Sequence, residues 1–443
     1  MLKSNNIYKQ NLSLAIPIML SSLGQSLVQM VDTLMVGKLG TMELAGISFA
    51  SSMTTNMLVV AVGLAMGLTP LVGQAYAVDD KKRISTLFEN SLSLNVLVSL
   101  CLVGVLLLFM PFLKFFGQDP QVISICKPYY LVVSLSFIPM MIFLTFKQFM
   151  EGIDNTKVAM IITLCANILN IILNYIFIFG KFGCPKMGLF GAGFSTFISR
   201  LLSPIAFYIY IMYNKKYSYY IKNFSKKALS AYLQKILLRI GLPIAGQMFV
   251  EMFSLFGITI MMGWLSAYHL AAFQIISTII STSFLAASGI CSATTILVSH
   301  AYGLKDKKEM KRQFFAGWNM VICFMGCFAL IFIFFGKNIA TLFSDDVNVI
   351  KYATSLFVVA GFFQLLDGTQ VSGLAGLRAI NDVIKPFFYA CFSYLVVALG
   401  FAYVCGFILN LGAESIFAGF MAGLLTAGIL YHRRFHKSLR NQK

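Results

Sequence analysis

Of the 443 residues, 58% are hydrophobic and only 11% are charged, with a mean hydropathy of +0.82; this excludes an ordinary soluble domain and points to a chain built for lipid. The formal charge of +18 raises nucleic acid as a partner, but the basic residues fall in short polar stretches on one side of the membrane, where the positive-inside rule accounts for them. Nine cysteines without a CxxC pair, and His269, His300, His432 and His436 without ligand spacing, exclude a disulfide framework and a recognisable metal centre.

Apolar segments of about 20 residues, each long enough to cross roughly 30 Å of hydrocarbon as a helix, recur along the chain. Twelve are counted, which predicts an all-α membrane protein. The first, "MLKSNNIYKQNLSLAIPIML" and onward, runs into a full-length span without a small-residue cleavage site, so it is expected to be retained. Ser22, Gln25, Gln29 and Asp32 recur along it at steps of three and four, a polar stripe on one face with Asp32 toward the outer end. The second span, near 45–77, exceeds what hydrocarbon needs and is expected to tilt or project into the cytoplasm, as is the eighth near 270–302. Its Gly63 and Gly67 stand at GxxxG spacing, a packing signal rather than a functional one, and Gly419 and Gly423 in the twelfth read the same way.

Thr163, Asn167, Asn170 and Asn174 stripe the fifth span, and Arg200 lies inside the sixth, read as a structural partner for a carboxylate. The stretch "YNKKYSYYIKNFSKKALSAYLQK" that follows is polar, basic and aromatic, and reads as a cytoplasmic linker, either on an anionic lipid surface or solvated. Gln247, Glu251 and Ser254 align on the seventh span, and Gln364 precedes Asp367 on the tenth. Basic clusters at 81–83, 215–235, 305–312 and 433–443 share a face with both termini, which places that face in the cytoplasm.

A shift of 226 positions (243 − 17) sets Pro17 on Pro243, Gly37 on Gly263 and "QAYAVDDKK" on "HAYGLKDKK". A shift of 227 (379 − 152) then sets "GIDNTK" on "AINDVI". The chain is thus two related halves: a six-helix lobe over 1–212, a linker over 213–234 and a second six-helix lobe over 235–443. Six is even, so both halves start on the same side, a parallel repeat with a pseudo-two-fold axis along the membrane normal.

An ionisable side chain at mid-bilayer costs on the order of 3 kcal/mol, so Asp32, Glu251 and Asp367 call for a reason other than packing. Carboxylates with amide and hydroxyl oxygens suit a hard monovalent cation, and equally trap a proton. No GxxxxGK[ST] loop is present for ATP, and no nucleophile–base pair, metal cluster or cofactor signature marks an enzyme. A transporter driven by an ion gradient, with no cofactor, is the expectation.

"VDTLMVGKLG", the repeat, "GIDNTK", "NYIFIFGKFGCPKMGLFGAG" and "LPIAGQMFVEMF" together resemble the multidrug and toxic compound extrusion (MATE) transporters, over almost the whole chain. The chain looks most similar to the NorM-like branch, because Asp32 of the VDT motif, Glu251 after the LP motif and Asp367 of "QLLDGTQVSGLAGLRA" all match that branch's membrane carboxylates. The resemblance implies export of organic, often aromatic, cations from a bacterial-type inner membrane, with both termini cytoplasmic. It implies exchange for Na+ or H+, with Asp32, Glu251 and Asp367 coupling to the cation and Na+ held at Glu251 and Asp367. Gln25, Gln29, Asn167, Asn170, Asn174, Gln247 and Gln364 are read as lining the polar cavity. Lipid is the other expected partner, and the chain is expected to act as a monomer. Two departures stand out: "LRAINDV" carries Ala379 where a glycine is common, and Phe284 lies where some relatives offer a hydroxyl-bearing aromatic. The rival reading is a flippase for lipid-linked saccharides, which should show a basic cavity, whereas the intramembrane charges here are mainly acidic.

Overall fold

The structure, a computed structural model, describes residues 6–117, 119–222 and 229–441. Twelve helices in it are long and apolar enough to cross a membrane: α1 Ile7–Gly37, α2 Thr41–Ala77, α3 Lys81–Phe115, α4 Pro120–Gly152, α5 Thr156–Phe179 and α6 Gly188–Tyr213 in the first half. In the second half they are α7 Ala231–Leu265, α8 Ala267–Gly303, α9 Lys307–Phe343, α10 Val347–Ala379, α11 Ile384–Ile408 and α12 Ala413–Arg440. Helices are the natural answer to a lipid solvent, because each satisfies its backbone N–H and C=O groups internally. No strand occurs among the described residues.

The repeat seen in the sequence is written into the turns. Asp80 caps α3 by accepting from the Arg83 amide, and Asp306, 226 positions on, caps α9 by accepting from that of Glu309. The residue before each cap, Asp79 in one half and Lys305 in the other, takes the left-handed conformation at φ 53° and 56°. With the shift of 227, Asp119 caps α4 as Asp346 caps α10, and Asp154 and Asn381 share positive φ at 70° and 59°. Each Asp side chain supplies an acceptor to an N–H that the first helical turn leaves unpaired.

By proximity along the fold the chain divides into Leu20–Ala245, the first lobe, and Met1–Met19 with Gly246–Lys443, the second. These ranges differ from the sequence-based ones at two helices. Both boundaries fall inside a helix, two residues past Pro17 and Pro243, and they are themselves 226 positions apart (245 − 19). The start of α1 packs in the second lobe, where Asn11 Nδ2 donates to Thr294 Oγ1 at 3.1 Å. The start of α7 packs in the first, where Gly63 and Gly67 lie against the backbones of Ala245 and Gly241. Gly419 and Gly423 likewise face Ala402 and Ala398, so all four glycines serve close helix approach.

Where it is described, the linker is anchored to the first lobe at two tyrosines, while Lys215, Lys216 and Lys222 stay exposed. Tyr217 and Tyr220 are buried in the first lobe, the latter stacked edge-on against Phe149 with ring centroids 5.6 Å apart. Ser85 Oγ donates to the Tyr220 carbonyl, Asn155 Nδ2 to the Tyr217 hydroxyl and the Ser230 amide to Asn90 Oδ1. Two aromatic anchors and these hydrogen bonds tie the segment to the first lobe. Lys226 and Lys227, part of the expected basic linker, and Gln442 and Lys443 of the expected basic tail lie outside the described residues.

Candidate functional site

In the first lobe α1 and α5 run side by side. A Cβ on Gly24 would stand 2.7 Å from Leu164 Cδ2 and 3.2 Å from Asn167 Nδ2, so the glycine sets how closely the helices meet. About two turns further along both helices, Asn174 Nδ2 donates to Asp32 Oδ1 at 2.5 Å and to Asn170 Oδ1 at 3.1 Å. The structure therefore brings together Asp32, Asn170 and Asn174, with Asn167 one turn below. Asn174 Oδ1 and Asn167 Nδ2 are buried without a hydrogen-bond partner, and such atoms call for water or a ligand. Gln25 is half-buried and Gln29 exposed.

Arg200 on α6 donates from Nη1 to Ser136 Oγ at 2.7 Å, at the break that divides α4 into Pro120–Leu135 and Phe137–Gly152. Its guanidinium lies 5.9 Å from the Phe137 ring centroid. It is in electrostatic range of Asp32, but the two form no ion pair within 4.0 Å. Arg200 thus bonds a hydroxyl and faces a ring, and not the carboxylate that the sequence reading expected as its direct partner.

In the second lobe Gln247 and Glu251 lie one turn apart on α7, and Gln247 Nε2 donates to Glu251 Oε2 at 3.2 Å. Arg378, in the last turn of α10, donates from Nη2 to Gln247 Oε1 at 2.7 Å. Asp367, three turns earlier on α10, is buried at 3% exposure in electrostatic range of Glu251, and accepts no hydrogen bond among the described residues. Gln364, one turn before Asp367, donates from Nε2 to Ser283 Oγ at 2.7 Å, beside half-buried Phe284 on α8, and its Oε1 is buried without a hydrogen-bond partner.

Three residues that the sequence reading did not single out complete this cluster. Arg378 is one. Gln370, one turn beyond Asp367, is wholly buried with neither amide atom bonded; it continues the stripe of Gln364 and Asp367 and was findable by spacing. Tyr394 sits on α11 where the helix widens over Cys391–Ala398. Its hydroxyl is in electrostatic range of Glu251 without a partner at hydrogen-bonding geometry. Wide turns of this kind recur at functional sites. Gly246, against Phe387, lets α7 approach α11.

The ion pairs among the described residues are Lys147–Glu151, Arg312–Glu309 and Arg434–Asp382. None involves Asp32, Glu251 or Asp367, so no cation locks any of the three. The "LRAINDV" departure is absorbed in packing: Ala379 is buried in a core with Leu377 and Phe435, the positive φ of the turn rests on Asn381, and Asp382 accepts from Arg434 Nε at 2.6 Å.

With this geometry in hand, a family model described as MatE matches residues 17–176 and 243–404, one block in each half. The probable multidrug resistance protein NorM of Photorhabdus laumondii is 30% identical over 430 residues, covering 95% of this chain and 94% of that one. The multidrug resistance protein NorM of Vibrio cholerae is 27% identical over 432 residues, covering 96% and 94%. Among solved structures, a MATE in the bent conformation superposes with a TM-score of 0.90 at 20% identity, covering 98% and 96%. A MATE family transporter of the MOP superfamily in an outward-facing conformation gives 0.89 at 19%, with the same coverage.

Proposed function

The chain belongs to the MatE family, and from that premise we propose that it exports organic cations in exchange for a monovalent cation, sodium or a proton, by alternating access. The observation that carries the reading is the set of intramembrane carboxylates without an ion-pair partner. Formal charge divides the work. Glu251, Asp367 and Arg378 sum to −1 when all are ionised, so one monovalent cation at Glu251 and Asp367 brings the second lobe's cluster to neutrality. Asp32 and Arg200 already balance, so the first lobe has less to gain from a resident ion; there Asp32, with Asn170 and Asn174 behind it, suits competition between a proton and a substrate cation. Gln25, Gln29 and Asn167 extend that polar face. Neutralising buried charge favours one orientation of the transporter and the organic cation favours the other, which is what exchange requires. The setting is an inner membrane with both termini cytoplasmic, the chain acting as a monomer.

The test uses proteoliposomes loaded with a fluorescent cationic dye, with sodium and proton gradients imposed separately on the wild type, Asp32→Asn, Glu251→Gln and Asp367→Asn. Gradient-driven dye movement that stops in the variants supports the reading. Movement that survives all three substitutions overturns it.

A further inference from the structure

The hydrogen-bond chain in the second lobe fixes something that sequence leaves open, the direction in which the Gln247 amide points. A guanidinium has five donors and no acceptor. The amide atom 2.7 Å from Arg378 Nη2 is therefore the oxygen, and the NH2 group is left facing Glu251 Oε2 at 3.2 Å. Rotating the amide by half a turn would set N–H against N–H at one end and oxygen against carboxylate at the other, so Arg378 holds the orientation from outside the carboxylate pair.

This matters for a cation. Sodium asks for a shell of oxygens, and near Glu251 the Gln247 side chain presents N–H instead, its carbonyl spent on Arg378. Asp367, buried and without a hydrogen bond, stays free to coordinate. We infer that Arg378 is a positioning residue that, acting through Gln247, withholds one oxygen ligand from the cation site at Glu251 and Asp367 and so keeps its sodium affinity low. A weak site suits an exchanger, which must release its ion on every cycle. The inference rests on the proposed exchange at Glu251 and Asp367, and it removes Gln247 from the ion's ligands while keeping it at the site.

The experiment measures sodium binding to the purified full-length protein with radioactive sodium, and the sodium concentration giving half-maximal dye movement in proteoliposomes apart from the maximal rate. The variants are Arg378→Met, Arg378→Lys, Gln247→Leu and the double variant Arg378→Met with Gln247→Leu. Arg378→Met frees the amide to turn and is expected to tighten sodium binding about tenfold, the scale of one hydrogen bond to a charged group. Arg378→Lys, which still donates to Oε1, should restore the wild-type affinity. Gln247→Leu should leave sodium affinity unchanged or raise it, and in its background Arg378→Met should lose most of its effect. A tenfold loss of affinity in Gln247→Leu overturns the inference, because it would make the carbonyl a ligand. An equal gain from Arg378→Met in both backgrounds also overturns it, because the arginine would then act by charge alone. Should Arg378→Met fail to fold, Gln247→Leu decides. If Glu251→Gln and Asp367→Asn leave sodium binding untouched, the fault lies with the site reading and not with Arg378.

Discussion

The two lobes share their turns and differ in their chemistry. Aspartate caps and left-handed residues recur 226 or 227 positions apart, while Asp32 corresponds by that shift to Ile258 and Glu251 to Gln25. Position 151 makes the contrast sharpest. Glu151 is paired in its own helix with Lys147, at 4.0 Å, whereas its counterpart Arg378 reaches across to Gln247 on another helix. A cap is a local contract between a side chain and the next turn, so it survives duplication unchanged. A buried charge answers only to its surroundings, so each lobe was free to reverse it. Of the three carboxylates without an ion-pair partner, the first lobe holds Asp32, bonded to Asn174 with Arg200 in electrostatic range, and the second holds Glu251 and Asp367, with Arg378 in range of Glu251.

Charge removal should expose that asymmetry first. Glu251→Gln or Asp367→Asn leaves the second lobe's cluster formally neutral without a coupling ion, and dye exchange should fall by about 100-fold, the upper end of typical coupling energies. Asp32→Asn should cost less, about tenfold, because its amide oxygen still accepts from Asn174 and the α1–α5 contact is kept. Initial rates of dye movement under each gradient, with dye affinity measured separately, check both values. Equal losses in the two lobes would break the division of labour drawn from formal charge.

How far the sequence reveals these sites follows from what each residue costs. A carboxylate in hydrocarbon is expensive enough to be conspicuous, so Asp32, Glu251 and Asp367 stand out, and helical spacing leads on to Asn170, Asn174 and Gln247. Arg378 does not, because it occupies the last turn of its span, where a basic residue at the edge of the apolar stretch is ordinary. Tyr394 is one of 19 tyrosines, and only the path of α11 distinguishes it. Tyr217 and Tyr220 were illegible for another reason: lysine and tyrosine in alternation describe a docked strand of chain as well as a solvated one. The lobe boundaries inside α1 and α7 leave no mark beyond the two prolines, since an unbroken helix has one hydropathy pattern whichever lobe it packs in.

Gly24 tests whether the close α1–α5 approach is what holds the first lobe's site. Gly24→Val would set a β-branched side chain against Leu164 and Asn167; overpacking of this kind costs about 1–3 kcal/mol. The thermal midpoint in detergent should fall accordingly, and Asp32-dependent exchange should fall more than sodium binding at Glu251 and Asp367. Equal losses at both would mean that the glycine serves general stability only.

The smallest expected effect is also the one that compares the lobes most directly. Asp80→Ala and Asp306→Ala each remove one side-chain acceptor from a first-turn amide, at 2.9 Å in both cases, and each should cost about 1 kcal/mol. Because the two caps occupy equivalent turns after residues of the same positive φ, the losses should agree, and neither should alter the choice of coupling ion. Denaturation midpoints in matched detergent, read beside the sodium dependence of dye movement, would show it. A cap that changed ion dependence in one lobe only would mean that its turn has joined the site chemistry, and the separation between a repeated scaffold and diverged sites would then have to be drawn elsewhere.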